Sequence, residues 1–156
     1  MKNIVFTLIF VLFGTFASSA DVADMLTKLE GVPGVSSVYI TKAMLGMAAG
    51  MNVGSDDMDL SQIAGKIDNI TVISAEKPKA RQAVLGSFPN HVSAAKGYQT
   101  LMRANEEGET VTIYSKSLGG GKTEFVVYSV EPKEVNVVGI TGSVSPAEIN
   151  AMVGKK

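Results

Sequence analysis

Four methionines, Met44, Met47, Met51 and Met58, fall within fifteen residues, and the first three stand at i, i+3 and i+7. That spacing puts their thioethers on one face of a helix. Thioethers are soft ligands that select Cu(I), so copper binding is one chemistry this segment could carry. Unbranched, polarizable methionine also fills irregular gaps in a core, and a Met-rich face can re-pack around a partner. The buried helix face is the favoured expectation, with the partner surface second and copper third.

Three carboxylates, Asp56, Asp57 and Asp59, share a Gly/Asn/Ser-rich loop with the last two methionines. Clustered oxygens suit a hard cation, and they are the acids an unfamiliar enzyme would draw on. The glycine and the distant glutamate of an EF-hand loop are missing, and acids before an apolar run serve equally to cap a helix. His91 is the only histidine and there is no cysteine. A nucleophilic triad needs an oriented imidazole and a serine in reach, and no Gly-x-Ser-x-Gly motif occurs. His91 is expected in an exposed loop after Pro89-Asn90. Gly119-Gly120-Gly121-Lys122-Thr123 ends like a phosphate loop, but the position six before Lys122 holds Lys116 instead of glycine, and a strand follows instead of a helix. Glycines that permit positive φ in a hairpin explain it better. No catalytic residue, cofactor or metal site is assigned.

The elements that must position these residues fall into two rhythms. The first half is helical with two strands interspersed. Asp21 can cap a helix over 22–30, ended by Gly31 to Gly34. VSSVYIT, 35–41, is rich in strand formers. Thr41 can cap a helix over 42–49, a short helix is expected over 60–66, and ITVISA, 70–75, is a buried strand. Pro78 opens a helix expected to stop near Phe88, where Pro89 interrupts it. The second half alternates: 98–104, 109–117, 123–130 and 134–141 make an antiparallel meander, with Val111 and Ile113 on one face and Thr112, Tyr114 and Lys116 on the other. Ser145-Pro146 with Glu148 forms a capping box for a last helix. The expected fold is α+β: a single mixed, mostly antiparallel sheet of five or six strands, covered by three or four helices on one face.

The chain opens with Met1-Lys2-Asn3, a thirteen-residue apolar run from Ile4 to Phe16, and Ala17-Ser18-Ser19-Ala20. Positive, apolar and small in that order is a secretory leader, and the run is short of the roughly 20 residues that span a bilayer. Cleavage is expected after Ala20, leaving residues 21–156 as one domain in the periplasm or medium. With no cysteine near that site to carry a lipid, the mature chain is expected to be unanchored. Removing the leader removes Lys2 from 14 basic side chains and none of 15 acidic ones, for a net charge near −2. That charge and the scattered lysines argue against a nucleic-acid partner.

VSSVYITKAMLGM, IAGKIDNITVISAE and GYQTLMRANEEGETVTIYSKSLGGGKTEFVVYSVEPKEVNVVGITGSVSPAEI resemble, in order and spacing, the family called domain of unknown function 4252 (DUF4252). The similarity runs over about residues 22–153. It is carried by Thr41-Lys42-Ala43-Met44 after the first strand, Leu101-Met102-Arg103 before the acidic turn, and the Gly119 to Phe125 turn. The resemblance implies a small exported protein with an α+β domain. It implies no reaction, substrate or cofactor. Some members are encoded beside extracytoplasmic sigma-factor systems, a pointer to envelope signalling. The function expected is a non-catalytic periplasmic binding module whose partner is another envelope protein. The alternatives are an enzyme using the loop carboxylates and, more weakly, a methionine-based Cu(I) carrier.

Overall fold

The computed structural model describes residues 21–50, 65–145 and 147–148. The leader expected over residues 1–20, Met51, Met58, Asp56, Asp57, Asp59 and nearly all of the short helix expected over 60–66 lie outside the described residues.

The chain runs α1 (Asp21–Leu29), β1 (Val35–Thr41), α2 (Lys42–Gly50), β2 (Ile67–Ala75), α3 (Pro78–His91), a 3₁₀ turn (Ala94–Lys96), β3 (Gln99–Glu106), β4 (Glu109–Gly119), β5 (Lys122–Val130) and β6 (Val135–Gly142). The strands form one open sheet in the order β1-β2-β6-β5-β4-β3. All five pairings are antiparallel, so the sheet is not mixed. The C-terminal meander stands as expected. The β2 strand joins the meander through β6 and carries β1 at the far edge. It begins at Ile67, three residues earlier than expected, with a register shift between Ile67 and Asn69.

Facing strands put directly opposed side chains on the same side. Ile73, Val137, Tyr128 and Thr112 therefore share one face, and Ile70, Ile140 and Phe125 the other. On the first face, Val22, Met25 and Leu29 of α1 and Ala80, Val84 and Phe88 of α3 close over Ile73, Ala75, Val126, Val135 and Val137. The Phe88 ring stacks on Tyr128 with centroids 3.7 Å apart and planes 8° from parallel. On the second face, Ile67, Phe125, Ile140 and Val144 form a smaller cluster against which Leu45 of α2 packs. The helices thus lie on both faces, not one. An α-helix linking two neighbouring antiparallel strands can lie on either side, and the apolar character of the second face draws α2 to it.

Local chemistry sets the ends. The Thr41 hydroxyl accepts the Met44 N–H at 3.3 Å and starts α2. Gly119, Gly120 and Gly121 take φ of +82°, +63° and +77° in the β4–β5 hairpin, the turn reading of that glycine run. Ser145 and Glu148 form the capping box reciprocally: Ser145 N–H donates to Glu148 Oε2 at 2.8 Å and Glu148 N–H to Ser145 Oγ at 3.3 Å. The α3 helix passes through Pro89 to His91. Its buried residues, Ala80, Val84, Phe88 and His91, lie on one stripe, and burial of that stripe outweighs the single backbone bond that Pro89 cannot make. The strand expected over 98–104 spans Gln99–Glu106, where β4 supplies a pairing edge.

Candidate functional site

His91 is 6 % exposed, which corrects the expectation of a solvent-facing loop histidine. Its Nδ1 lies 2.9 Å from the Ser87 carbonyl, which makes Nδ1 the donor. Its Nε2 is buried without a hydrogen-bond partner, 3.4 Å from Asp24 Oδ2. The Ser87 hydroxyl also lies 3.4 Å from Nδ1, but with Nδ1 donating to the Ser87 carbonyl that nitrogen has no lone pair to take the hydroxyl proton, and the arrangement ties α3 to α1 instead.

Met44 and Met47 are 58 % and 68 % exposed, so the expected buried stripe does not hold for them. Leu45 is the α2 side chain that packs into the second-face cluster, which turns its helical neighbours outward. Among the described residues, no three His, Asp or Glu side chains converge on a possible metal position, and no helix is long and apolar enough to cross a membrane.

At the end of the sheet a cleft of about 470 Å³ lies between the start of α3 and the β5–β6 turn, lined by Glu76, Pro78, Arg81, Glu131, Lys133 and Glu134. One guanidinium nitrogen of Arg81 donates to the Glu131 carbonyl at 3.0 Å, and the Ser74 hydroxyl donates to Glu134 at 3.1 Å. The charges alternate in sign and are held by the turn they flank. The cleft fits a structural brace better than a catalytic pair.

The feature that no motif announced is a row on the second face. Val38, Val72, Val138, Val127, Ile113 and Met102 stand directly opposite one another across all six strands. Every member is apolar, and the row emerges at both edges, with Val38 54 % and Met102 40 % exposed. The second row beside it reads Ile40, Ile70, Ile140, Phe125 and Ser115. The β3 edge strand is exposed along all eight of its residues, and Leu101 at its register shift adds a further large apolar side chain, 41 % exposed. An edge strand presents unpaired backbone N–H and C=O groups to whatever approaches it. Sequence reasoning found each strand. It missed the row, because cross-strand register is fixed by turns and pairing order and leaves no local signal.

Neither any curated protein nor any solved structure matches the chain. A family model, Domain of unknown function (DUF4252), matches residues 28–152, which hold every strand of the sheet, and the chain belongs to that family.

Proposed function

We propose that this is an exported, non-catalytic binding module of the periplasm, and that it takes an extended segment of another envelope protein along the β3 edge. The observation that carries the reading is the apolar row ending at Met102 on an edge strand exposed throughout. A strand added at β3 gains backbone hydrogen bonds, and its inward side chains extend the row beyond Met102. Arg103 and Glu106 on the same strand supply charges that would fix direction and register. The leader and the family's neighbourhood with envelope signalling systems support the compartment.

The test is a photo-crosslinking amino acid at Leu101, with one at exposed Lys28 on the opposite side as control. In a Gram-negative host, position 101 captures one dominant envelope protein and position 28 does not. The double variant Leu101→Lys/Met102→Lys loses the capture while keeping its fold. Equal, diffuse labelling from both positions defeats the reading. Fractionation of the same cells checks export, since the mature chain belongs in the periplasmic or medium fraction.

A further inference from the structure

The two edges of the sheet are built differently. β3 carries Arg103 and Glu106 and a register shift between Thr100 and Met102. Charges and bulges on an edge strand restrict what can pair with it. β1 carries none of these. Its seven residues, Val35 to Thr41, hold no charge and no proline, and they pair with β2 from Val35 opposite Ala75 to Thr41 opposite Asn69 without a shift. Its outer side offers backbone N–H and C=O groups with nothing to repel an incoming strand. Exposed apolar side chains gather there too. Of the six large hydrophobic residues exposed among the described residues, Val38 and Tyr39 lie on β1, and Met44 and Met47 lie on α2, which packs on β1 and β2.

We propose that β1 pairs antiparallel with β1 of a second copy of this chain, about a twofold axis at Val38, to make one continuous sheet of twelve strands. A twofold axis normal to the sheet keeps each face on its own side, and opposed residues of an antiparallel pair share a face. Only registers centred on a residue satisfy both. Centred on Val38, the pairing uses all seven residues of β1. Centred on Ser37 or Tyr39, it leaves two of them opposite chain outside the strand. On the second face Val38 then meets Val38 of the second copy, and Ser36 meets Ile40. On the first face Ser37 meets Tyr39. The apolar row that runs from Met102 to Val38 continues into the second copy instead of ending in water. Both β3 edges stay free, so the pairing is independent of what β3 takes.

A pair of seven-residue strands is small beside the ~1,200–2,000 Å² of a stable interface, and α2 enlarges it. Leu45 holds α2 on the second face, over β1 and β2. Neighbouring strands stand about 4.7–4.9 Å apart. Across the seam the two α2 helices are therefore two spacings apart, roughly 9–10 Å, and helices pack at about 8–10 Å. Exposed Met44 and Met47 border the seam at its rim, where single truncations cost little. Charge agrees with this register. Lys42 follows β1 and falls opposite Gly34 of the second copy. Gly34 shares a cleft of about 320 Å³ with Ser36, Ser74, Glu76 and Lys77, and its acid, Glu76, is exposed. Within its own chain Lys42 lies 3.7 Å from Asp68, whose carboxylate Lys122 holds at 2.9 Å. Lys42 can therefore turn to Glu76 of the second copy without leaving Asp68 unpaired.

The chain has no cysteine, so a disulfide formed by one introduced cysteine must join two copies. The full chain is expressed in a Gram-negative host, purified, and followed by sedimentation equilibrium over a wide range of concentration. It forms a dimer. Val38→Cys gives a covalent dimer under mild oxidant, since directly opposed strand residues have α-carbons about 4.5–5.5 Å apart and a disulfide spans about 4.4–6.8 Å. Ser37→Cys and Tyr39→Cys crosslink poorly alone and well when the two variants are mixed. Leu101→Cys, on the β3 edge, gives no covalent dimer. Val38→Lys sets two ammonium groups together at the axis and raises the dimer dissociation constant by at least about ten-fold; the cysteine pattern carries the test if that variant does not fold. A monomer at every concentration, whatever else then covers β1, overturns the proposal. So does a dimer that Leu101→Cys traps and Val38→Cys does not. A mixture of Ser37→Cys and Tyr39→Cys that crosslinks no better than either alone overturns the pairing about Val38.

Discussion

The Tyr98 hydroxyl and the Glu124 carboxylate meet 2.8 Å apart, with Tyr98 only 4 % exposed and Glu124 wholly buried. They join the segment that leads into β3 to the first half of β5. A buried carboxylate is tolerated only while its oxygens are supplied with donors. Tyr98→Phe keeps the ring and withdraws one donor. It should cost about 1.5–3 kcal/mol, the range for a hydrogen bond to a charged group, read as a lower urea midpoint at unchanged slope.

Gly142 closes β6 where the chain crosses the start of β2. A β-carbon there would lie 2.2 Å from the Lys66 carbonyl oxygen and 2.8 Å from the Ile67 α-carbon, both backbone. The Ser143 N–H donates to that same carbonyl at 2.8 Å. Gly142→Ala must therefore displace β2 from β6 locally and lose the bond. We expect destabilisation of about 3 kcal/mol or more, above the usual range of ~1–3 kcal/mol for overpacking, because no side chain can yield. Thermal unfolding of the single variant measures it, with Gly65→Ala as the control, since nothing lies within 4 Å of a β-carbon at Gly65.

Glu148 carries a prediction about acid. The ion-paired hydrogen bond from Lys66, helped by the Ser145 N–H, holds its carboxyl at about 2, below the ordinary 4.5. A depressed folded pKa gives stability that is present above pH 4.5 and lost as pH falls toward 2. Glu148→Gln should flatten that part of the stability curve. Lys66→Met should return the carboxyl toward its ordinary value in an NMR titration. Both effects should shrink in high salt, as the pair is at the surface.

The methionines divide by environment. Met25 is fully buried between α1 and the sheet, whereas Met44 and Met47 are exposed. Met25→Ala should cost about 2–5 kcal/mol. Met44→Ala and Met47→Ala should each stay within about 0.5 kcal/mol of the parent chain. Chemical denaturation of the three single variants separates the two classes.

Much of this architecture is written locally. The hairpin at Gly119 to Gly121, the capping box of Ser145 and Glu148, the Thr41 cap and the alternation of 109–117 depend on residues a few positions apart, where turn chemistry and period decide the outcome. Expectations failed where distant chain entered. His91 looked like a loop residue because Pro89 should end a helix; it is buried because α1 and the sheet give the far end of α3 a surface to cover. Met44 and Met47 had the spacing of a core face, but Leu45 beside them found the apolar cluster first, and one short helix cannot bury two faces on one surface.

The sequence by itself determined the strands, the helices of the described residues and the family, because period, caps and glycines act over one or two turns of chain. Tertiary structure alone decided which faces meet. It aligned Val38 with Met102 across six strands and set a core glutamate against the start of α1. Strand order and register join residues dozens of positions apart, and nothing in their local sequence records the neighbour that folding will bring.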